Sequence, residues 1–310
     1  MMRRREFLMG GLAAAGGVAS ARAATPLEDR ICVFTDPYDG ADGFSYEEVA
    51  TLLRQAGVAG ADVTVRPGGL VLPERVEQDL PKAHSIFADQ GLAVPMISTA
   101  LTAADPEARA ILGMASRLGI PYYKIGYYPY DDMDRWRETR ADVRTKLRGL
   151  VDLGKEYGIH AGFHNHSGAM AGGLLWDMLQ ILEPLDRDWI GVYADPAHAM
   201  IEGGKNGWNF SLRQALDRVS MVAVKDFVWE KVNGRWQTRW TPLGQGMVPF
   251  DEVFGILTEA AFPGPISLHI EYHEPTGKTR AARLENSYAV LERDVQFLRA
   301  AIRRASGRAG

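Results

Sequence analysis

Ala161-Gly162-Phe163-His164-Asn165, a helical pattern over 174–185, and then Ile190-Gly191-Val192-Tyr193-Ala194 form one strand–helix–strand unit. The flanking runs are short and β-rich, and the stretch between them can carry a crossover helix, which is the sign of parallel strands. The unit repeats outward in both directions. Upstream, strands are predicted at 31–35, 61–65, 93–98 and 122–126; downstream, at 221–225 and 265–270. Ser45 and Glu48 make a capping box before Val49, Leu52, Leu53 and Ala56 at helical spacing, and Gly57 and Gly60 stop that helix. Further helices are expected over 74–90, 106–119, 134–157, about 210–218, and 279–304.

Eight strands alternating with helices fill the chain, with no Pro/Ser-rich linker, repeat or low-complexity tract to divide it. A closed single-domain (β/α)8 TIM barrel over 25–310 is the economical architecture, because closure leaves no sheet edge exposed. The rival is an open doubly wound sheet. It usually carries a Gly-rich phosphate turn after its first strand, and Thr35-Asp36-Pro37-Tyr38-Asp39-Gly40 is not one. At 310 residues, 46% hydrophobic and 24% charged, the chain has the composition of one ordinary globular unit. A net charge of −4 and a pI near 6.0 give no electrostatic reason to expect nucleic acid as a partner. Cys32 is the sole cysteine, so no internal disulfide forms.

Residues 1–24 read as an export signal. A basic start containing Arg3, Arg4 and Arg5 precedes a short Ala/Gly-rich apolar stretch, and Ala21-Arg22-Ala23 makes a cleavage pattern before Ala24. Arg4-Arg5-Glu6-Phe7-Leu8 resembles the twin-arginine (Tat) signal, so the Tat export machinery is the expected partner and the periplasm the expected location. The apolar stretch is too short and Gly-rich for a stable membrane span. A frayed basic terminus and an uncleaved anchor are the alternatives.

In barrels of this kind, reactive side chains gather at the C-terminal ends of strands. Five of the seven histidines obey: His164, His166, His198, His269 and His273, with only His84 and His160 elsewhere. His164-Asn165-His166 sets two imidazoles on one side of an extended strand, and His269-Ile270-Glu271 repeats that geometry on strand eight. Asp195 and His198, three apart after strand six, converge if a turn follows. Such nitrogen and carboxylate ligands suit Zn, Mn or a similar divalent ion, although each histidine taken singly could equally be a hydrogen-bonded rim residue. Lys225, ending strand seven, is an acid–base or oxygen-holding candidate, or else forms a salt bridge to Asp195 or Glu271. Lys124 and Arg66 are weaker substrate-binding candidates, each read first as a structural ion pair. Tyr127, Tyr128, Trp208, Phe227 and Trp229 are aromatics that could stack on a ring or simply pack.

Gly162-Phe163-His164-Asn165-His166, Asp195-Pro196-Ala197-His198-Ala199, Val224-Lys225-Asp226-Phe227 and His269-Ile270-Glu271 resemble the sugar phosphate isomerase/epimerase family of xylose isomerase-like TIM barrels. The likeness covers about 30 to 300. It implies a divalent metal (Mn, Zn, Co or Fe) held by Glu, Asp, His and Glu from strands five to eight. Asp195 and Glu271 match the ligands of strands six and eight, and His164 stands where the strand-five Glu usually does. The strand-seven histidine is replaced: the pattern His-x-Lys-Asp reads Ala223-Val224-Lys225-Asp226 here, and His198 could supply the missing nitrogen.

The resemblance implies metal-assisted proton transfer next to a carbonyl, and export points to an unphosphorylated sugar or keto-sugar derivative as substrate. His166 or Lys225 would carry the proton, with Glu271 in the catalytic set and His198 and His269 against the substrate. Epimerase, isomerase and lyase or dehydratase outcomes share this first step. A non-catalytic sugar-binding barrel and a nuclease of the AP-endonuclease branch are the readings from other classes. The acidic pI and the available histidines count against the nuclease.

Overall fold

The computed structural model describes residues 25–40 and 42–307. The export signal read at 1–24 lies outside the described residues. Barrel strands are β1 (Ile31–Phe34), β2 (Gly60–Val65), β3 (Ala93–Thr99), β4 (Tyr122–Lys124), β5 (His160–His164), β6 (Ile190–Ala194) and β7 (Val219–Val224). A hairpin of β8 (Asp226–Val232) and β9 (Arg235–Thr241) follows, and β10 (Ile266–Leu268) is the eighth barrel strand. All barrel pairings are parallel, and β1 pairs with both β2 and β10, which closes the sheet. The eight strands lie within a few residues of their expected places.

The helices are α1 (Tyr46–Ala56), α2 (Val76–Asp89), α3 (Pro106–Arg117), α4 (Trp136–Tyr157), α5 (Leu175–Leu182), α6 (Pro196–Ala215), α7 (Phe250–Glu259) and α8 (Arg280–Ala305). The capping box at Ser45 and Glu48 forms, and Gly57 ends α1 in the left-handed region at φ 73°. One packed layer lies between strands and helices. A second, smaller cluster of Cys32, Met96, Tyr193, Met221 and Ala223 fills the barrel lumen. Gly162 faces this cluster, where a Cβ would displace the end of the Met221 side chain.

Three features differ from the sequence reading. The helix expected at about 210–218 starts much earlier, at Pro196, and is interrupted at Gly204 (φ 62°, ψ −162°). Helix α7 was not expected. Nor was the β8–β9 hairpin, whose turn is Asn233-Gly234 with φ 49° and 81° at its two residues. That positive-φ pair is what a two-residue hairpin turn requires. Asp226 pins the loop returning from the hairpin, accepting hydrogen bonds from the N–H groups of Phe227, Gly244, Gly246 and Val248 at 2.8–3.1 Å. The hairpin thereby carries Trp240 back over the mouth of the barrel. No helix among the described residues is long and apolar enough to cross a membrane.

Candidate active site

His164 is the last residue of β5, and Asp195 directly follows β6 as the N-cap of α6. Its Oδ1 accepts the His198 N–H at 3.0 Å, so one helix cap fixes both the carboxylate and the imidazole on the first turn. Pro196, needing no N–H donor at the first helical position, suits that start. Asn165 clamps the junction from β5: its amide donates to the Asp195 carbonyl at 2.9 Å and accepts the Asp195 N–H at 2.7 Å.

The result is a compact, buried set. His164 Nε2 lies 3.2 Å from Asp195 Oδ2, and His198 Nε2 lies 3.8 Å from the same oxygen. Ligand atoms from all three residues fall within 4.8 Å of one another. Burial pushes the His164 pKa down to about 3 and that of His198 well below its ordinary value, so both imidazoles are neutral. Burial also works against the Asp195 charge, but Lys225 together with His198 and His164 outweighs it and holds the carboxyl well below the usual range.

This set fits a divalent ion. Neutral imidazoles offer lone pairs, and each ring is oriented through its other nitrogen. Tyr127 Oη is 3.0 Å from His164 Nδ1, and Ser167 Oγ is 2.8 Å from His198 Nδ1. His198 Nε2 is buried without a hydrogen-bond partner, as a metal-facing nitrogen would be.

Glu271 stands apart from that set. The structure places Lys225 Nζ between the two carboxylates, 2.8 Å from Glu271 Oε1 and 3.4 Å from Asp195 Oδ2. Lys225 therefore makes both of the salt bridges weighed as alternatives from the sequence. Burial lowers its pKa, yet the two carboxylates more than offset this and raise it, so it is an ammonium. Glu271 is held well below the carboxylate range despite its burial, chiefly by Lys225. Ala223 offers no donor and packs in the lumen.

His269 joins Glu271, with Nδ1 3.3 Å from its Oε1, while Tyr193 Oη meets His269 Nε2 at 2.9 Å. A carboxylate only accepts, so the imidazole donates from Nδ1 to Glu271. His269 also stacks on Phe34, with ring centroids 4.2 Å apart. His166 sits over His198 at 4.1 Å between centroids. Its Nδ1 bonds the Ser167 carbonyl at 2.9 Å, leaving Nε2 uncommitted. Burial, and then Lys225, lower its pKa, so it is a neutral base.

Of the other candidates, Arg66 is paired with Asp36 at the rim. Lys124 is buried with its ammonium 3.7 Å from the Tyr127 ring centroid, and burial lowers its pKa to about 7. His273 lies further out, half-buried. Tyr127 joins the cluster, whereas Tyr128 and Phe227 are buried, Trp208 is buried on α6, and Trp229 is exposed on the hairpin.

Sequence reasoning missed Trp240, which lies 4.4 Å from Lys225 Nζ and 5.3 Å from the His198 ring centre. It also missed the parts played by Asn165, Ser167 and Tyr193. The Asn233-Gly234 pair signals the hairpin, and with it Trp240. The other three show no signal, because their partners are distant in sequence.

The family model for the xylose isomerase-like TIM barrel matches residues 50–301. The chain belongs to that family. No curated protein sequence is significantly similar to this family member. Among solved structures, D-allulose 3-epimerase from Methylomonas sp. superposes with a TM-score of 0.67 at 18% identity, covering 90% of this chain and 99% of that one. A 3-keto-D-glucoside 4-epimerase from E. coli gives 0.61 at 14% identity, over 84% and 98%. A xylose isomerase-like TIM barrel protein from Mycobacterium smegmatis in complex with magnesium gives 0.61 at 16%, over 88% and 97%. At these identities the likeness shows a shared barrel fold.

Proposed function

We propose that this xylose isomerase-like barrel is an exported sugar epimerase or isomerase. It moves a proton at a carbon next to the carbonyl of an unphosphorylated sugar or keto-sugar derivative. The observation that carries the reading is a convergence: an uncommitted neutral imidazole, His166, and a fixed ammonium, Lys225, approach one buried donor set from different strands. The epimerases among the structural neighbours support the substrate class.

His164, Asp195 and His198 would hold a divalent ion, which when bound supplies charge stabilisation at the carbonyl oxygen. His166 Nε2 accepts the proton from carbon. Lys225, oriented by Asp195 and Glu271, donates hydrogen bonds to a substrate oxygen. His269 orients Glu271, and Tyr193 holds the His269 ring from its Nε2 side. Trp240, with the rings of His166 and His198, excludes water from the reacting carbon. Return of the proton from His166 to the neighbouring carbon gives the isomer, and delivery of a proton from the Lys225 ammonium to the other face of the same carbon gives the epimer.

The test is hydrogen exchange. Mature protein loaded with Mn, Zn, Co or Fe is incubated in deuterium oxide with neutral ketoses and keto-glycosides, and the C–H signals beside the carbonyl are followed by NMR. The reading requires exchange with at least one sugar and a fall of about 100-fold or more in His166→Ala, the usual size of a general-base contribution. No exchange with any sugar, or full activity in the variant, would sink it.

A further inference from the structure

Outside the buried cluster, a cleft of about 570 Å³ opens between the loop after β1 and the segment after β10. Glu271 and Trp240 line it, and both also touch Lys225, so the cleft begins where the reacting group would sit. Its volume falls in the range of about 300–1,000 Å³ that small-molecule sites occupy. The proton-transfer step accounts for none of this space.

The walls state what fits. Asp42 and Glu274 present carboxylates that make no ion pair or hydrogen bond among the described residues, while the Asp36 carboxylate is taken by Arg66. The nearby cation, Arg283, donates to the Asp42 backbone carbonyl and faces the Phe44 ring at 5.6 Å. Arg283 itself makes no ion pair among the described residues, and its Nε has no hydrogen-bond partner. Two free carboxylates against one guanidinium still leave this wall net negative, which disfavours a phosphate or carboxylate and offers acceptors to hydroxyls. Trp240 adds an aromatic surface of the kind that covers the apolar face of a sugar ring.

We propose that this cleft is a second sugar subsite. The substrate is then a neutral keto-disaccharide or similar keto-glycoside, its reacting ring at Lys225 and His166 and its second ring between Trp240, Asp42 and Glu274. The proposal rests on the sugar reading above and narrows it.

The experiment uses the metal-loaded mature protein and measures binding by calorimetry and deuterium exchange in parallel. The probes are fructose, fructose 6-phosphate, and the keto-disaccharides turanose, maltulose and isomaltulose. The expected result is at least one disaccharide bound ten-fold or more tightly than fructose and than the phosphate. In the Asp42→Ala/Glu274→Ala double variant, that disaccharide-to-fructose ratio falls to about one. Disaccharides bound no better than fructose, tighter binding of the phosphate, or a ratio unchanged in the double variant would each overturn the subsite. The exchange readout keeps the two ideas apart. Exchange on fructose without disaccharide preference removes the subsite alone, whereas preferential binding without exchange on any probe removes the proton-transfer reading for them.

Discussion

Lys225 Nζ and Glu271 Oε1 lie 2.8 Å apart, and the same ammonium is 3.4 Å from Asp195 Oδ2. One ammonium thus serves two carboxylates at the mouth of the barrel, leaving one negative charge in excess. Removing it leaves both charges without their counter-ion in a site nearly closed to water. Lys225→Met should therefore cost about 3–5 kcal/mol of stability, the usual consequence of breaking a buried pair from one side. Urea titration of the variant against the parent measures this. A loss below about 1 kcal/mol would show that water or a proton compensates the carboxylates.

Asn165 gives a second test, separate from charge. Its side chain satisfies both backbone groups of Asp195, and it is fully buried. Asn165→Ala should destabilise the protein by about 1–3 kcal/mol, since it leaves the buried Asp195 N–H unsatisfied while the Asp195 carbonyl keeps the Ala199 N–H. It should also weaken metal binding, because the cap that aims Asp195 and His198 loosens. Denaturation midpoints together with a metal titration would show both effects or refute them.

Lys124 sets a pH dependence. Burial lowers its pKa from the ordinary 10.5 to about 7. Between these values the unfolded chain binds the proton and the folded chain does not, so stability rises with pH through that window. The burden of the buried ammonium is fully present below about pH 7. Lys124→Met should stabilise the protein at pH 6 and lose that advantage progressively toward pH 10, as read by denaturation of both proteins across the range. An advantage independent of pH would mean that Lys124 remains charged in the fold.

The barrel was legible because its strands, covered on both sides, are compact apolar runs such as Ile190–Ala194, separated by helical periodicity. The hairpin escaped notice for the opposite reason. Its exposed strands carry Glu230, Lys231, Arg235 and Arg239, and nothing in that composition marks a buried layer, although Asn233-Gly234 was there to be read. Helix α6 was placed late because Gly203 and Gly204 interrupt its pattern, while Asp195-Pro196, its true cap, drew attention as a site motif alone. His164, Asp195 and His198 were named as candidates from their place at strand ends. The separation of Glu271 from them by Lys225 depends on distances across the barrel that spacing along the chain does not encode.

The N-terminal reading makes its own prediction. Expressed with its full N-terminus in a bacterium with a functional twin-arginine pathway, the protein should appear in the periplasm, starting near Ala24. Mass spectrometry of the recovered protein checks the cut site. Retention in the cytoplasm of intact chain beginning at Met1 would refute it.

The most direct test of the donor set is metal content by elemental mass spectrometry, on mature protein and on His198→Ala, Asp195→Ala and Glu271→Gln variants, all shown to be folded. The site described here predicts close to one divalent ion per chain in the parent and in Glu271→Gln, and loss of that ion in the other two. Metal kept by His198→Ala but lost in Glu271→Gln, or no metal bound by the parent even after addition, would contradict it.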